Sequence, residues 1–332
     1  MKTGRDLAAL REKIAGQADC CEGIDLARHE IVSLRAGRAV SHYRECLESE
    51  GIVPKYFAGN VRERREGQIM GEVISPEEIK RKCAAPVVLI SAGNTWTAGQ
   101  VRRQMDNLQI KSLLADKLVF SRHCGEILEV FDMLEDGKSK YIYGNVLLAR
   151  MEGAEISERF VTGHPYFCLE PFLKRLDSEV YADFGAAVGD SIEEYIWRKK
   201  NMFGKIYGFE PEPGNFEILT GRMGRLKREW GIPEGQIVLF QTEFGENRTV
   251  DSFFGDRKVN FMKADTGGGE LAWLRGAGKT VARHRPVLAI GIYHTPSDMF
   301  RIPLEVKSMN PDYRLKIRHH SIGYAGTVLY AY

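Results

Sequence analysis

The stretch Val180-Tyr181-Ala182-Asp183-Phe184-Gly185-Ala186-Ala187-Val188-Gly189-Asp190-Ser191 has the residue types of a ligand-binding turn. An apolar strand pattern runs into two glycines, and a helix pattern follows with Ile192, Tyr195 and Ile196 on one face. Glycines at such a turn let a ligand approach the backbone and let the strand pass tightly into the helix. Asp183 and Asp190 flank the turn. Their charge opposes a pyrophosphate and favours a cationic ligand. S-adenosylmethionine (SAM) carries an ammonium and a sulfonium and no phosphate, so it meets that requirement. Glu210 ends the next strand pattern, at 205–210, where a carboxylate can accept both hydroxyl protons of a ribose. The cofactor-site candidates are therefore Asp183, Gly185, Ala186, Gly189, Asp190, Ser191 and Glu210. The plainer alternative is that Asp183 and Asp190 only cap a turn and a helix.

A second group lies further on. Asp265, Glu270 and His294 fall at or just past the ends of strand patterns at 259–264 and 286–293. Ligands bind outside the carboxyl ends of strands in open α/β sheets, which makes these residues catalytic candidates. Histidine has the unperturbed pKa best suited to a general base near neutrality. The competing role for His294 is to fix the loop after its strand. Asp265 orients a ligand or caps the helix beginning near Gly269. Asp298 follows Pro296-Ser297 and reads as a cap. Carboxylates with a histidine are also the ligand types of a divalent cation. Their spacing assigns no metal centre.

Two blocks of alternating strands and helices must position these groups. In the first, strands are expected at 31–34, 52–57 and 86–91, with helices at 39–49 and 100–108. Ser75-Pro76-Glu77-Glu78 is a helix start with an N-cap serine, a proline at the first helical position and a glutamate at the third. Residues 121–176 lack the alternation, and Ile127, Val130, Phe131 and Leu134 are spaced for a helix. In the second block, strands are expected at 180–183, 205–210, 236–241, 259–264 and 286–293. Phe216, Leu219, Met223, Leu226 and Trp230 form a helical apolar stripe between the second and third of these. Apolar runs at 313–317 and 327–332 have no strong helix between them and suggest a hairpin-like end to a parallel sheet.

Composition bounds the class. Hydrophobic residues make up 43% and charged residues 28% of 332, the balance of a globular protein. A net charge of +2 argues against a nucleic-acid partner held by charge. The basic runs 62–65 and 314–320 have acidic residues among or beside them and read as solvated faces. Six cysteines contain no CxxC pair and no zinc-ligand spacing, as in reduced thiols. The charged N-terminus lacks a secretory apolar segment, and the apolar runs are too short to span a membrane. The expectation is a cytoplasmic protein without a membrane partner.

Several motifs in order resemble the FkbM-type methyltransferases. They are 183–190, Phe209-Glu210-Pro211, the strand at 259–265, Ala289-Ile290-Gly291-Ile292-Tyr293-His294-Thr295-Pro296-Ser297-Asp298, Ile302-Pro303, Arg318-His319-His320-Ser321 and Thr327-Val328-Leu329-Tyr330-Ala331. The resemblance implies a class I methyltransferase fold, Rossmann-like with a mostly parallel sheet, preceded by a smaller Rossmann-like α/β domain. The expected organisation is a helical segment at 1–29, the smaller domain at 30–120, a helical connector at 121–176 and the methyltransferase domain at 177–332. The resemblance also implies SAM-dependent O-methylation of a hydroxyl on a sugar, a glycan or a secondary metabolite.

The stretch between Phe240 and Asp251, which in the family helps to enclose the adenine, is shorter than the resemblance leads one to expect, and two further places depart from the family pattern. Lys263-Ala264-Asp265-Thr266-Gly267-Gly268-Gly269-Glu270 has Gly267 where the family carries a glutamate. If that backbone tolerates a side chain, Gly267→Ala is expected to stabilise by about 0.4–1 kcal/mol. The first block has Arg35-Ala36-Gly37-Arg38-Ala39-Val40 in place of a glycine-rich dinucleotide turn, and Gly59-Asn60 where an acid is expected. A structural or partner-binding role suits it better than a nucleotide site. Two alternatives stay open: a catalytically weak binding or scaffold protein that keeps the fold, and an oxidoreductase using the first block.

Overall fold

In a computed structural model of the chain, the described residues are 4–18, 20–21, 28–35, 40–58, 72–91, 95–172 and 178–332. The turn around Gly37, the Gly59-Asn60 pair and the basic run 62–65 lie outside them. The chain divides into two compact units. One comprises Met1–Val161, Tyr293–Phe300 and Ser321–Gly326; the other comprises Thr162–Ile292, Arg301–His320 and Thr327–Tyr332.

Among the described residues the first unit holds five strands: β1 (Glu30–Arg35), β2 (Tyr56–Ala58), β3 (Val73–Ile74), β4 (Pro86–Ser91) and β5 (Lys111–Leu114). All pairs are parallel, in the order β3-β2-β1-β4-β5. Val32, Val87, Val88 and Leu89 are fully buried, as expected when helices cover both faces of a parallel sheet. The strand expected at 52–57 starts instead at Tyr56, because Pro54 has no N–H to give a ladder. The Ser75 capping box forms as the residue types predict: Glu78 N–H donates to Ser75 Oγ, and Ser75 N–H donates to the Glu78 carboxylate at 2.7 Å. Beyond β5 the unit is helical over Ala115–Arg122, Cys124–Met133 and Gly137–Glu152. There the buried Arg150 donates to Asp116 at 2.8 Å, and Tyr43 donates to the same carboxylate at 3.0 Å.

Among the described residues the second unit holds seven strands: β6 (Val180–Phe184), β7 (Lys205–Phe209), β8 (Ile237–Phe240), β9 (Phe261–Ala264), β10 (Val287–Gly291), β11 (Leu315–His319) and β12 (Thr327–Ala331). Their order is β11-β12-β10-β9-β6-β7-β8. β12 runs antiparallel to both neighbours and every other pairing is parallel. The two terminal apolar runs are therefore an antiparallel pair, as their sequence suggests. The basic run 314–320 is a correction: most of it is β11, where Leu315, Ile317, Arg318 and His319 are buried. Leu219, Met223 and Leu226 of the helix Pro213–Trp230 pack on the sheet with Ile192, Tyr195 and Ile196. Phe167 and Phe172 fill the same core, edge-on to Phe261.

Candidate functional site

The turn after β6 is built from backbone in a left-handed conformation. Gly185 has φ +74°, and a Cβ there would lie 2.0 Å from the Asp265 carbonyl oxygen. Only glycine lets the loops after β6 and β9 approach so closely. Gly189, at φ +85°, starts the helix Asp190–Lys199 against Leu219 and Met223. The turn's amides face their own chain. Gly185 and Ala186 N–H both donate to the Phe209 carbonyl, at 3.0 and 2.9 Å, and Ala187 N–H donates to the Glu210 carboxylate at 2.8 Å.

Glu210 follows β7 and is buried. Its second oxygen accepts Glu212 N–H at 3.0 Å, with Asn215 Nδ2 at 3.5 Å. A carboxylate offers about four acceptor positions, so hydroxyl donors can still be received. The glycine turn and Glu210, separate in the sequence, are thus brought into direct contact. Asp190 is exposed at the first position of its helix.

Asp183 occupies a different place from the one its sequence position suggests. It is fully buried, paired with Lys263 Nζ at 2.9 Å, and it accepts from Tyr181 Oη at 2.9 Å and from Ser191 Oγ. Lys263 Nζ also donates to the Gly185 carbonyl at 2.6 Å. Burial pushes the Lys263 ammonium down, but Asp183, Asp265 and Asp190 together outweigh it and raise it above its ordinary range. The negative charge of Asp183 is therefore answered from within the strands, and Ser191 serves the same network.

Asp265 is half-buried just beyond β9 and accepts a hydrogen bond from Tyr166 Oη. The Tyr166 ring centre is 5.1 Å from Lys263 Nζ. Glu270 is fully buried at the start of the helix Glu270–Arg275. Its Oε1 accepts from Thr266 N–H at 2.6 Å, Thr266 Oγ1 at 3.1 Å and Gly268 N–H at 3.4 Å. That carboxylate holds the glycine-rich loop in shape. His294 lies on Tyr293–Phe300, in the first unit, with its ring stacked on Tyr293 at 4.1 Å. Asp298, on the same segment, accepts Thr295 N–H at 2.7 Å, which is the capping role expected of it.

Lys263 and Tyr166 are absent from the residues picked out by sequence. Lys263 had a signal, the Lys-x-Asp spacing to Asp265. Tyr166 had none, because its neighbours belong to no periodic element. Among the described residues, no helix is long and apolar enough to cross a membrane, and no two cysteines are joined by a disulfide.

Comparison with known proteins follows the geometry. Residues 236–321 match the family model described as the methyltransferase FkbM domain. The methyltransferase FkbM from Methylobacillus flagellatus KT is similar over 98% of this chain and 100% of its own, with 21% identity and a TM-score of 0.59. An rRNA methylase from Streptococcus thermophilus matches 48% of this chain and 90% of its own, at 15% identity and a TM-score of 0.35. A SAM-dependent methyltransferase from Aquifex aeolicus matches 48% and 84%, at 13% identity and a TM-score of 0.33. A search of curated proteins gives no match. The seven-stranded sheet, with its single reversed strand next to one edge, is the class I methyltransferase fold. Residues 236–321 are thus similar to the methyltransferase FkbM domain, and the second unit has the class I methyltransferase fold.

Proposed function

We propose that the protein is a SAM-dependent O-methyltransferase acting on a hydroxyl of a sugar, a glycan or a secondary metabolite. SAM is held at the turn after β6 and at Glu210, and when bound it supplies an electrophilic methyl group. One observation carries this reading: Gly185, Ala186 and Ala187 N–H are spent on Phe209 and Glu210, while the Glu210 carboxylate keeps acceptor capacity. Such a turn suits a ribose and a cation better than a pyrophosphate, which needs free N–H groups.

Within this reading the side chains divide the work. Glu210 receives the ribose hydroxyls, and exposed Asp190 attracts positive charge. Asp183, Lys263 and Ser191 hold β6, β9 and the turn in register. Glu270 shapes the loop that carries Asp265. Asp265 faces the acceptor hydroxyl from the carboxyl end of β9; His294, which lies in the first unit, keeps a general-base role proposed from its residue type alone. Holding the acceptor oxygen close and aligned provides much of the acceleration of a methyl transfer.

Calorimetry of the full chain with SAM, S-adenosylhomocysteine and NADH tests the proposal. SAM and S-adenosylhomocysteine are expected to bind and NADH is not. Glu210→Ala should weaken SAM by about 1.5–3 kcal/mol, or about ten- to a hundredfold. Equal affinity in the variant removes Glu210 from the site. Absence of SAM binding in the parent points to the scaffold alternative.

A further inference from the structure

Tyr166 has backbone φ +67° and His164 has φ +61°. For a bulky residue this left-handed conformation is an outlier, and such outliers persist only where the surroundings over-determine them. The surroundings here are specific. Tyr166 N–H donates to the hydroxyl of Tyr330 at 2.9 Å, and Tyr330 is fully buried on β12. His320 Nδ1 lies 2.5 Å from the Thr162 carbonyl, which can only accept, so Nδ1 carries a proton. In the neutral ring Nε2 is then an acceptor, and the Tyr330 hydroxyl, 2.9 Å away, donates to it. The next residue, Phe167, is fixed in the core between Tyr181, Tyr195 and Phe261. The strained turn is thus clamped from β12 and from the core. Its product is one placement: the phenol of Tyr166 on Asp265 and its ring beside Lys263.

We propose that Tyr166 is a positioning residue for Asp265, and that the clamp through Tyr330 and His320 sets the direction of that carboxylate. This rests on the reading that Asp265 faces the acceptor hydroxyl. The phenol acts on Asp265 directly, because it donates to that carboxylate itself.

The test uses the full chain with aspartate carboxyls labelled with carbon-13, and with the Asp265 resonance identified by its loss in Asp265→Asn. Tyr166→Phe keeps the ring and removes the hydroxyl. At one fixed pH it is expected to move the Asp265 carboxyl resonance, because the hydrogen bond to that carboxylate is lost, and to leave the SAM affinity within about threefold. Tyr330→Phe frees Tyr166 N–H, and the resonance should move in the same direction by a smaller amount. A resonance unchanged in both variants, in protein that binds SAM, overturns the role of Tyr166 and leaves the proposed function standing. A parent chain that does not bind SAM overturns the proposed function and this inference with it.

Discussion

Gly267→Ala and Gly185→Ala separate backbone strain from steric clash within one loop system. At Gly267, φ is +82° and an added Cβ meets nothing within 4 Å. The cost there is conformational. A left-handed residue other than glycine costs about 1–2 kcal/mol, and the stiffer unfolded chain returns about 0.4–1 kcal/mol. The net is a destabilisation of about 0.5–1 kcal/mol. The stabilisation that the sequence suggests for Gly267→Ala is thereby reversed, because the condition attached to it, a tolerant backbone, fails. Gly185 shares the left-handed backbone, but its Cβ would stand 2.0 Å from the Asp265 carbonyl oxygen and 2.8 Å from the carbonyl carbon. Neither atom can swing aside as a side chain would. Overpacking adds about 1–3 kcal/mol, for a total of about 2–4 kcal/mol. Scanning calorimetry of the full chain reads the difference. About 2–4 °C per kcal/mol is the scale for a domain of 150–250 residues. Gly267→Glu should match Gly267→Ala in stability, since both pay the same backbone cost into open space. A stabilised Gly267→Ala, or a Gly185→Ala no worse than it, would refute the argument.

Other expectations follow from buried charge and from packing. Lys263→Met leaves Asp183 buried without its ammonium and should cost about 3–5 kcal/mol, measured by urea unfolding; a change within 1 kcal/mol would mean that Asp183 is neutral or solvated. His123 bridges Glu50 and Glu126 at 2.8 and 2.9 Å, and its pKa is raised from 6.5, chiefly by the Glu50 hydrogen bond. A raised folded pKa stabilises fully below the unfolded value and is lost as pH rises through the folded one. The melting temperature of the parent relative to Glu50→Gln should therefore fall from pH 6 toward pH 9, and parallel curves would exclude the linkage. A fragment beginning at residue 162 should melt cooperatively and respond to SAM, whereas one beginning at 177 lacks Phe167 and Phe172 and should not. Equal melts would show those rings to be dispensable.

The parts of the fold legible in the sequence are those whose neighbours are local. β6 and β7 read as apolar runs because parallel strands covered on both faces need no alternation, and the helix Pro213–Trp230 shows its buried stripe at helical spacing. β3 and β5 were missed for opposite reasons. β3 is only Val73–Ile74, too short for any period, and β5 runs directly into the helix Ala115–Arg122 with no turn residue to mark its end. The candidate site divides in the same way. Glu210 was legible because it ends a strand. Asp183 was legible as an acid, but its pairing with Lys263 joins β6 to β9 across the sheet, and no spacing along the chain encodes that. Tyr166 depends on Tyr330 and His320, which lie on or beside the last two strands, so its placement exists only once the sheet is complete.

The wiring of the glycine turn has a consequence for life among abundant competitors. Adenosine occurs in cells mostly as phosphorylated molecules, and the SAM site proposed at this turn must turn those away. Here the refusal is made by the main chain: the amides that would welcome a phosphate already answer to Phe209 and Glu210. If the proposed function holds, changes of side chain around the turn can retune which acceptor is methylated and leave that refusal intact, since no single substitution returns three amides to a passing anion.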